Sequence, residues 1–228
     1  MKLAFAILLT ALSATATDLQ VTLSDRATLP ADQLAAATGV LNRIFRLSQV
    51  TLQLERGDLD APDGKLFTYP TPPRPGKAVE AACNARPDIT LEIRDSAAPG
   101  MPPAILGVSQ PLATRGLNVM IFNDRVKRIA LQANRPYPAV LAHVIAHEIG
   151  HVLLRTHSHA KSGLMSSQWN AQEYNRLANG VLLFSHAESK QLLRTLHRDA
   201  CASPLLTRTK NGPSDKPTVL APPPPANR

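Results

Sequence analysis

His147-Glu148-Ile149-Gly150-His151 sets two imidazoles and one carboxylate in the spacing HExxH. On a helix, residues four apart share a face one turn apart, so His147 and His151 can grip the same cation. Glu148, next in the chain to the first imidazole, can reach water beside that cation without ligating it, which suits a general base. Three protein ligands and one open position make a catalytic zinc site, whereas four protein ligands make a structural one. A third imidazole follows the helix at either His157 or His159, and no cysteine lies nearby to close the fourth position. The residues therefore predict Zn2+ as cofactor, with metal ligands His147, His151 and either His157 or His159, and Glu148 as the catalytic residue. The expected reaction is hydrolysis of a peptide bond, with a peptide or protein as substrate. The blander readings are hydrogen-bonded helix histidines, or a closed structural zinc. His143, one turn before His147, is expected on the helix surface or behind the ligands.

The element carrying this pattern has to be buried. Pro136 and Pro138 introduce a strongly apolar helix from Ala139 to about Leu154, with Leu141, Ile145, Ile149 and Val152 along one stripe. Upstream, Leu19, Val21 and Leu23 alternate with polar residues as a strand, and Pro30 opens a helix. That helix has an apolar face of Leu34, Val40, Leu41, Ile44, Phe45 and Leu47, and Val50, Leu52 and Leu54 alternate again after it. Strand, helix and strand form a βαβ unit. Further strands are expected at Ile89 to Ile93, around Ile105 to Val108, and at Leu117 to Phe122, with Gly107 marking a bulge and Gly116 a turn. A peptide would lie antiparallel to Leu117–Phe122 if that strand is the edge. Ser185 and Glu188 make a capping box for a last amphipathic helix running to about Asp199. The fold class is α/β (α+β): about five strands in a mixed twisted sheet, a backing helix, a central zinc-binding helix and a C-terminal helix.

Lys2, the apolar run Leu3 to Leu12 and the small residues Ala14-Thr15-Ala16 read as a signal peptide over 1–16, cut before Thr17. The run is shorter than the roughly 20 residues that span a bilayer, so no integral membrane segment is expected. The mature protein is expected to be secreted or periplasmic. Residues 17–203 form one domain, within which five prolines between 61 and 77 demand a surface excursion. Residues 204–228, with Pro222 to Pro225, are expected to be a disordered proline-rich tail. The formal charge of +8 falls to about +4 once Lys2 and the basic tail are set aside, and it is scattered with few aromatics, which argues against nucleic acid. Cys83 and Cys201, an even number in an exported chain, are expected to form a disulfide, the alternative being two separate thiols. Oligomeric state is not legible.

The stretch His147 to His157 resembles the metzincin signature HExxHxxGxxH, and Ser162-Gly163-Leu164-Met165 is similar to the Met-turn, whose methionine lies beneath the zinc in that clan. As in matrixins, His157 is followed by serine, and Met165 comes eight residues later. The stretch His147 to Trp169 is similar to small secreted bacterial proteins carrying HExGHxLLGxxSHSxxGLM and a tryptophan four residues on. The resemblance implies a zincin or metzincin-like fold, a zinc metallopeptidase activity and a structural role for Met165. It departs from the metzincin pattern at Leu154, where a glycine ends the zinc helix, and leucine does not readily take the left-handed turn. A helix that runs on displaces the third ligand toward His159, and the bacterial resemblance also places its histidine there. No tyrosine directly follows the Met-turn; Tyr174 and Tyr137 are the nearby phenols, and Trp169 is expected to pack over the loop. A different class of function is a zinc-bearing binding module without activity, or a cell-surface binding protein using the tail.

Overall fold

A computed structural model describes residues 17–57, 88–111 and 117–199. The expected signal peptide, the proline-rich excursion, Gly116, the cysteine pair Cys83 and Cys201 and the tail from 204 lie outside the described residues.

β1 (Thr17–Asp25) and β2 (Val50–Arg56) are parallel neighbours joined by α1 (Ala31–Leu47), with Leu19 opposite Leu52. The alternation seen in the sequence becomes one buried face, since Leu19, Val21 and Leu23 are at most 1% exposed while Gln20 between them faces solvent. In α1 the residues Leu34, Ala37, Leu41, Ile44 and Phe45 are buried, but Leu47, expected on the same face, is exposed at the helix end. β3 (Asp88–Arg94) pairs with the other side of β1, and β5 (Leu117–Phe122) lies beyond it, both parallel. β4 (Gly107–Ser109) closes the sheet antiparallel to β5, in the order β2-β1-β3-β5-β4. The mixed five-stranded α/β architecture is therefore present.

Two expectations need correction here. Among the described residues the edge strand over α3 is β4, not Leu117–Phe122, because β4 covers the outer side of β5. Gly107 makes no bulge: it pairs in regular register with Ile121. Its missing side chain has a packing cause, since a Cβ there would come within 2.9 Å of Glu148 Cγ and of Ile121 Cδ1.

α2 (Asn123–Gln132) starts directly at the end of β5 and has no counterpart among the elements expected from the sequence. Its apolar contribution is small, Val126, Ile129 and Ala130, and the intervening charges hide the period. One of those charges, Arg125, is buried and donates to the carbonyls of Pro102 and Ile105, each at 2.7 Å, and of Met101 at 3.0 Å. It thereby holds the loop that leads into β4. α3 (Tyr137–Leu154) packs against α1, α2, α5, β4 and β5. Every residue from Val140 to Leu153 is buried, as expected for a helix apolar on all sides. α4 (Ala171–Ala178) is likewise additional to the expected elements, although Asn170 and Glu173 form a reciprocal capping box at its start. α5 (His186–Asp199) begins with the expected box, Ser185 N donating to Glu188 Oε2 at 2.6 Å and Glu188 N to Ser185 Oγ at 3.3 Å.

Candidate metal centre

α3 supplies His147, Glu148 and His151 from its last two turns. The helix continues through Leu154 and stops one residue later, where Arg155 takes the left-handed conformation at φ 52°. Thr156 N then donates back to His151 O at 3.2 Å, satisfying a terminal carbonyl. Past this turn the chain folds on itself, with Ala160 N donating to Met165 O at 2.8 Å. The result carries His159 over the helix end: its Nε2 lies 3.2 Å from His151 Nε2, which is 3.0 Å from His147 Nε2. Among the described residues, His147, His151 and His159 are the histidines brought together, with ligand atoms within 4.8 Å of one another. His157, the alternative, stays outside that cluster.

Each helix imidazole is oriented from behind. His147 Nδ1 donates to the carbonyl of Leu164 at 2.8 Å, and His151 Nδ1 to that of Thr156 at 2.8 Å. A carbonyl can only accept, so both neutral rings carry their proton on Nδ1 and aim a bare lone pair from Nε2. Two such lone pairs 3.0 Å apart repel. A cation removes the conflict. Zinc held tetrahedrally at about 2.0–2.1 Å from each nitrogen spaces its ligands about 3.3 Å apart, close to the separations seen. The residues present fit this metal by donor type, tautomer and spacing. Burial also keeps the rings neutral: His147 is held well below the usual imidazole range by burial and then by His151. His151 is lowered to about 4, mainly by burial, and His159 is lowered by burial.

The Leu164 carbonyl does double service, because Trp169 Nε1 also donates to it at 3.2 Å. Trp169 is buried and packs edge-on against His147, His143 and Tyr174. It supports the loop from within. Met165 is buried beneath the helix, and a Cβ on Gly150 would sit 2.6 Å from its Sδ, so glycine is needed for this close approach. Glu173 accepts from Asn170 N at 3.1 Å and from Gly163 N at 3.4 Å, tying α4 to the same loop. His143 is not on the surface: it is 1% exposed, its Nδ1 donating to Ala139 O at 2.7 Å. Tyr137 donates to Asn123 Oδ1 at 2.6 Å, and Tyr174 is buried against Trp169.

Glu148, next to His147 in the chain, is fully buried. Its Oε2 accepts from Ser109 Oγ on β4 at 2.8 Å, while Oε1 has no hydrogen-bond partner. Burial pushes its carboxyl up to about 8, with the Ser109 hydrogen bond opposing the rise. A divalent cation held by His147 would oppose it further, since a nearby positive charge favours the ionised form. A buried carboxylate oxygen without a partner, on the residue that follows His147, is a second feature that a nearby cation would account for. Ser109 is not among the residues that the sequence singles out. The available signal is weak: Gly107 and Ser109, two apart on a strand, share one face.

No family model and no curated protein matches the chain. Among solved structures, archaemetzincin from Methanopyrus kandleri is similar with a TM-score of 0.47 and 14% identity, over 82% of this chain and 100% of that one. Metalloproteinase-II from Bacteroides fragilis is similar with a TM-score of 0.43 and 11% identity, over 79% of this chain, which spans 54% of that protein.

Proposed function

We propose that the protein is an exported zinc-dependent metalloendopeptidase, with His147, His151 and His159 as ligands and Glu148 as general base. The observation that carries the proposal is the convergence of three imidazoles, two of them fixed as Nε2 lone-pair donors by their Nδ1 bonds, with a buried carboxylate that has one unpartnered oxygen on the residue after the first. When bound, zinc would supply Lewis acidity, making water more acidic and polarising the scissile carbonyl. Glu148 then takes a proton from the attacking water at Oε1, its free oxygen, and passes it to the amine nitrogen as the C–N bond breaks. The Leu164 and Thr156 carbonyls hold the imidazoles in the tautomer that keeps Nε2 available throughout. An extended substrate would add to β4, which has a sheet partner on one side only among the described residues. Met165 serves by packing against Gly150.

A zinc-bearing binding module without turnover is the second reading, favoured by the complete burial of Glu148, His147 and His151. One experiment separates the two. The zinc-loaded full chain is incubated with a mixed peptide library, with and without chelator. Chelator-sensitive cleavage that falls at least about a thousandfold in Glu148→Ala, with zinc retained, is the expected result. Zinc retention with no cleavage by the wild type would establish the module instead.

A further inference from the structure

Strand β4 does more than close the sheet. Gly107 and Ser109 lie two apart on it and both face the Glu148 side chain: the first leaves room for Cγ, the second donates to Oε2. Ser109 is 1% exposed and Glu148 fully buried, so this hydrogen bond is made away from bulk solvent. Of the two carboxylate oxygens, Ser109 engages Oε2 and Oε1 is left without a partner.

We infer that Ser109 is the positioning residue for the general base, working with Gly107 as a two-point cradle that selects Oε1 as the oxygen that exchanges protons. The inference rests on the peptidase reading for its kinetic consequence, though not for its structural one. The hydroxyl can donate to Oε2 whether Oε1 is bare or protonated, so the carboxylate need not rotate between taking the proton and giving it up. The same strand has its other edge open for an extended peptide among the described residues, so the element that would receive substrate also aims the base. A hydrogen bond to a buried charged group whose loss leaves the charge underserved is expected to change rate on the order of tenfold to a hundredfold.

The test compares full-length, zinc-loaded wild type, Ser109→Ala, Ser109→Thr and Glu148→Ala on one quenched-fluorescent peptide selected from the library by the wild type. Crystal structures of the wild type and S109A accompany the kinetics. Expected for S109A are a tenfold to hundredfold fall in kcat per bound zinc, an unchanged KM and zinc content, and a Glu148 carboxylate in a second rotamer. S109T, which restores the donor, should recover most of kcat. If the extra methyl of S109T disrupts packing, seen as a lowered melting temperature, Ser109→Cys supplies a weaker donor and an intermediate kcat. A wild type that cleaves while S109A matches it in kcat overturns the cradle and leaves the peptidase intact. A wild type that never cleaves overturns the peptidase; the cradle then stands or falls on whether the carboxylate moves in S109A. An S109A protein that loses zinc or stability with kcat per zinc unchanged overturns the inference in favour of a purely structural serine.

Discussion

Helix α3 presents His147 and His151 through its own geometry, whereas residues 155–170 present His159 only through contacts made after folding. On the helix, 3.6 residues per turn put positions 147 and 151 on one face whatever surrounds them. In the loop nothing periodic acts. His159 is placed by a left-handed turn at Arg155 and by the Ala160-to-Met165 hydrogen bond, in a loop that Trp169 ties to the Leu164 carbonyl. The two regions nonetheless depend on each other, because the loop's Leu164 carbonyl sets the tautomer of the helix's His147. Half of the site is geometrically preset and half is assembled, and changes in the assembled half should be felt in the preset half.

The largest effect should come from the loop ligand itself. Apparent zinc binding of about 10–16 kcal/mol shared among a few ligands makes each worth about 3–4 kcal/mol. His159→Ala should therefore weaken zinc affinity by roughly 140- to 700-fold, measured by competition with a chromophoric chelator, while His157→Ala should change it by less than about tenfold. Equal effects from the two would break the comparison, since the loop would then not have chosen between them.

Next in size is a pH effect seated on the helix, one turn before His147. His143 is lowered to about 4, chiefly by burial; the carbonyls of Ala139 and Leu182 favour its protonation and Arg43 opposes it. The ring stays neutral in the fold down to that pH but gains a proton near 6.5 in the unfolded chain. Stability is thus fully present above pH 6.5, falls as pH drops toward 4, and levels below it. The loss assigned to this ring is on the order of 3 kcal/mol. Urea melts of chelator-treated wild type and His143→Phe across that range should show the wild type losing this much more than the variant. Parallel pH profiles would remove the histidine from the explanation.

Smaller, and aimed at the coupling between the two regions, is Trp169→Phe. It keeps an aromatic ring against His147 but removes the donor to Leu164 O. We expect about 1 kcal/mol of lost stability and a roughly tenfold loss of zinc affinity, because the carbonyl that orients His147 becomes less fixed. Unchanged zinc affinity would show that the helix orients His147 unaided.

The smallest effect concerns the turn between the regions. Arg155→Gly should be more stable than Arg155→Ala by about 0.5–1 kcal/mol in thermal melts, since only glycine takes a positive φ without steric cost. Comparing two truncations cancels whatever the arginine side chain contributes. An alanine variant as stable as the glycine one would mean that the turn relaxes, and with it the placement of His159.

Much of this protein is legible from its residues because the relevant physics is local. Period-two alternation marks β1, β2, β3 and β5, period 3.6 marks α1, α3 and α5, and the spacing of His147, Glu148 and His151 on an apolar helix assembles most of the candidate site. α2 escapes because its apolar residues are few and its buried Arg125 looks like a surface charge. α4 escapes although its capping box, Asn170 with Glu173, is there to be read. What tertiary structure alone decided was which strand forms the edge, how the loop turns to bring His159, already favoured by Leu154 in the sequence, onto the other two histidines, and which hydroxyl meets Glu148. Each of these joins groups far apart in the chain, as Ser109 and Glu148 are, or depends on one residue adopting φ 52° where its type disfavours it. Local preference does not encode such pairings; they are settled when strands, helices and loop compete for the same buried space.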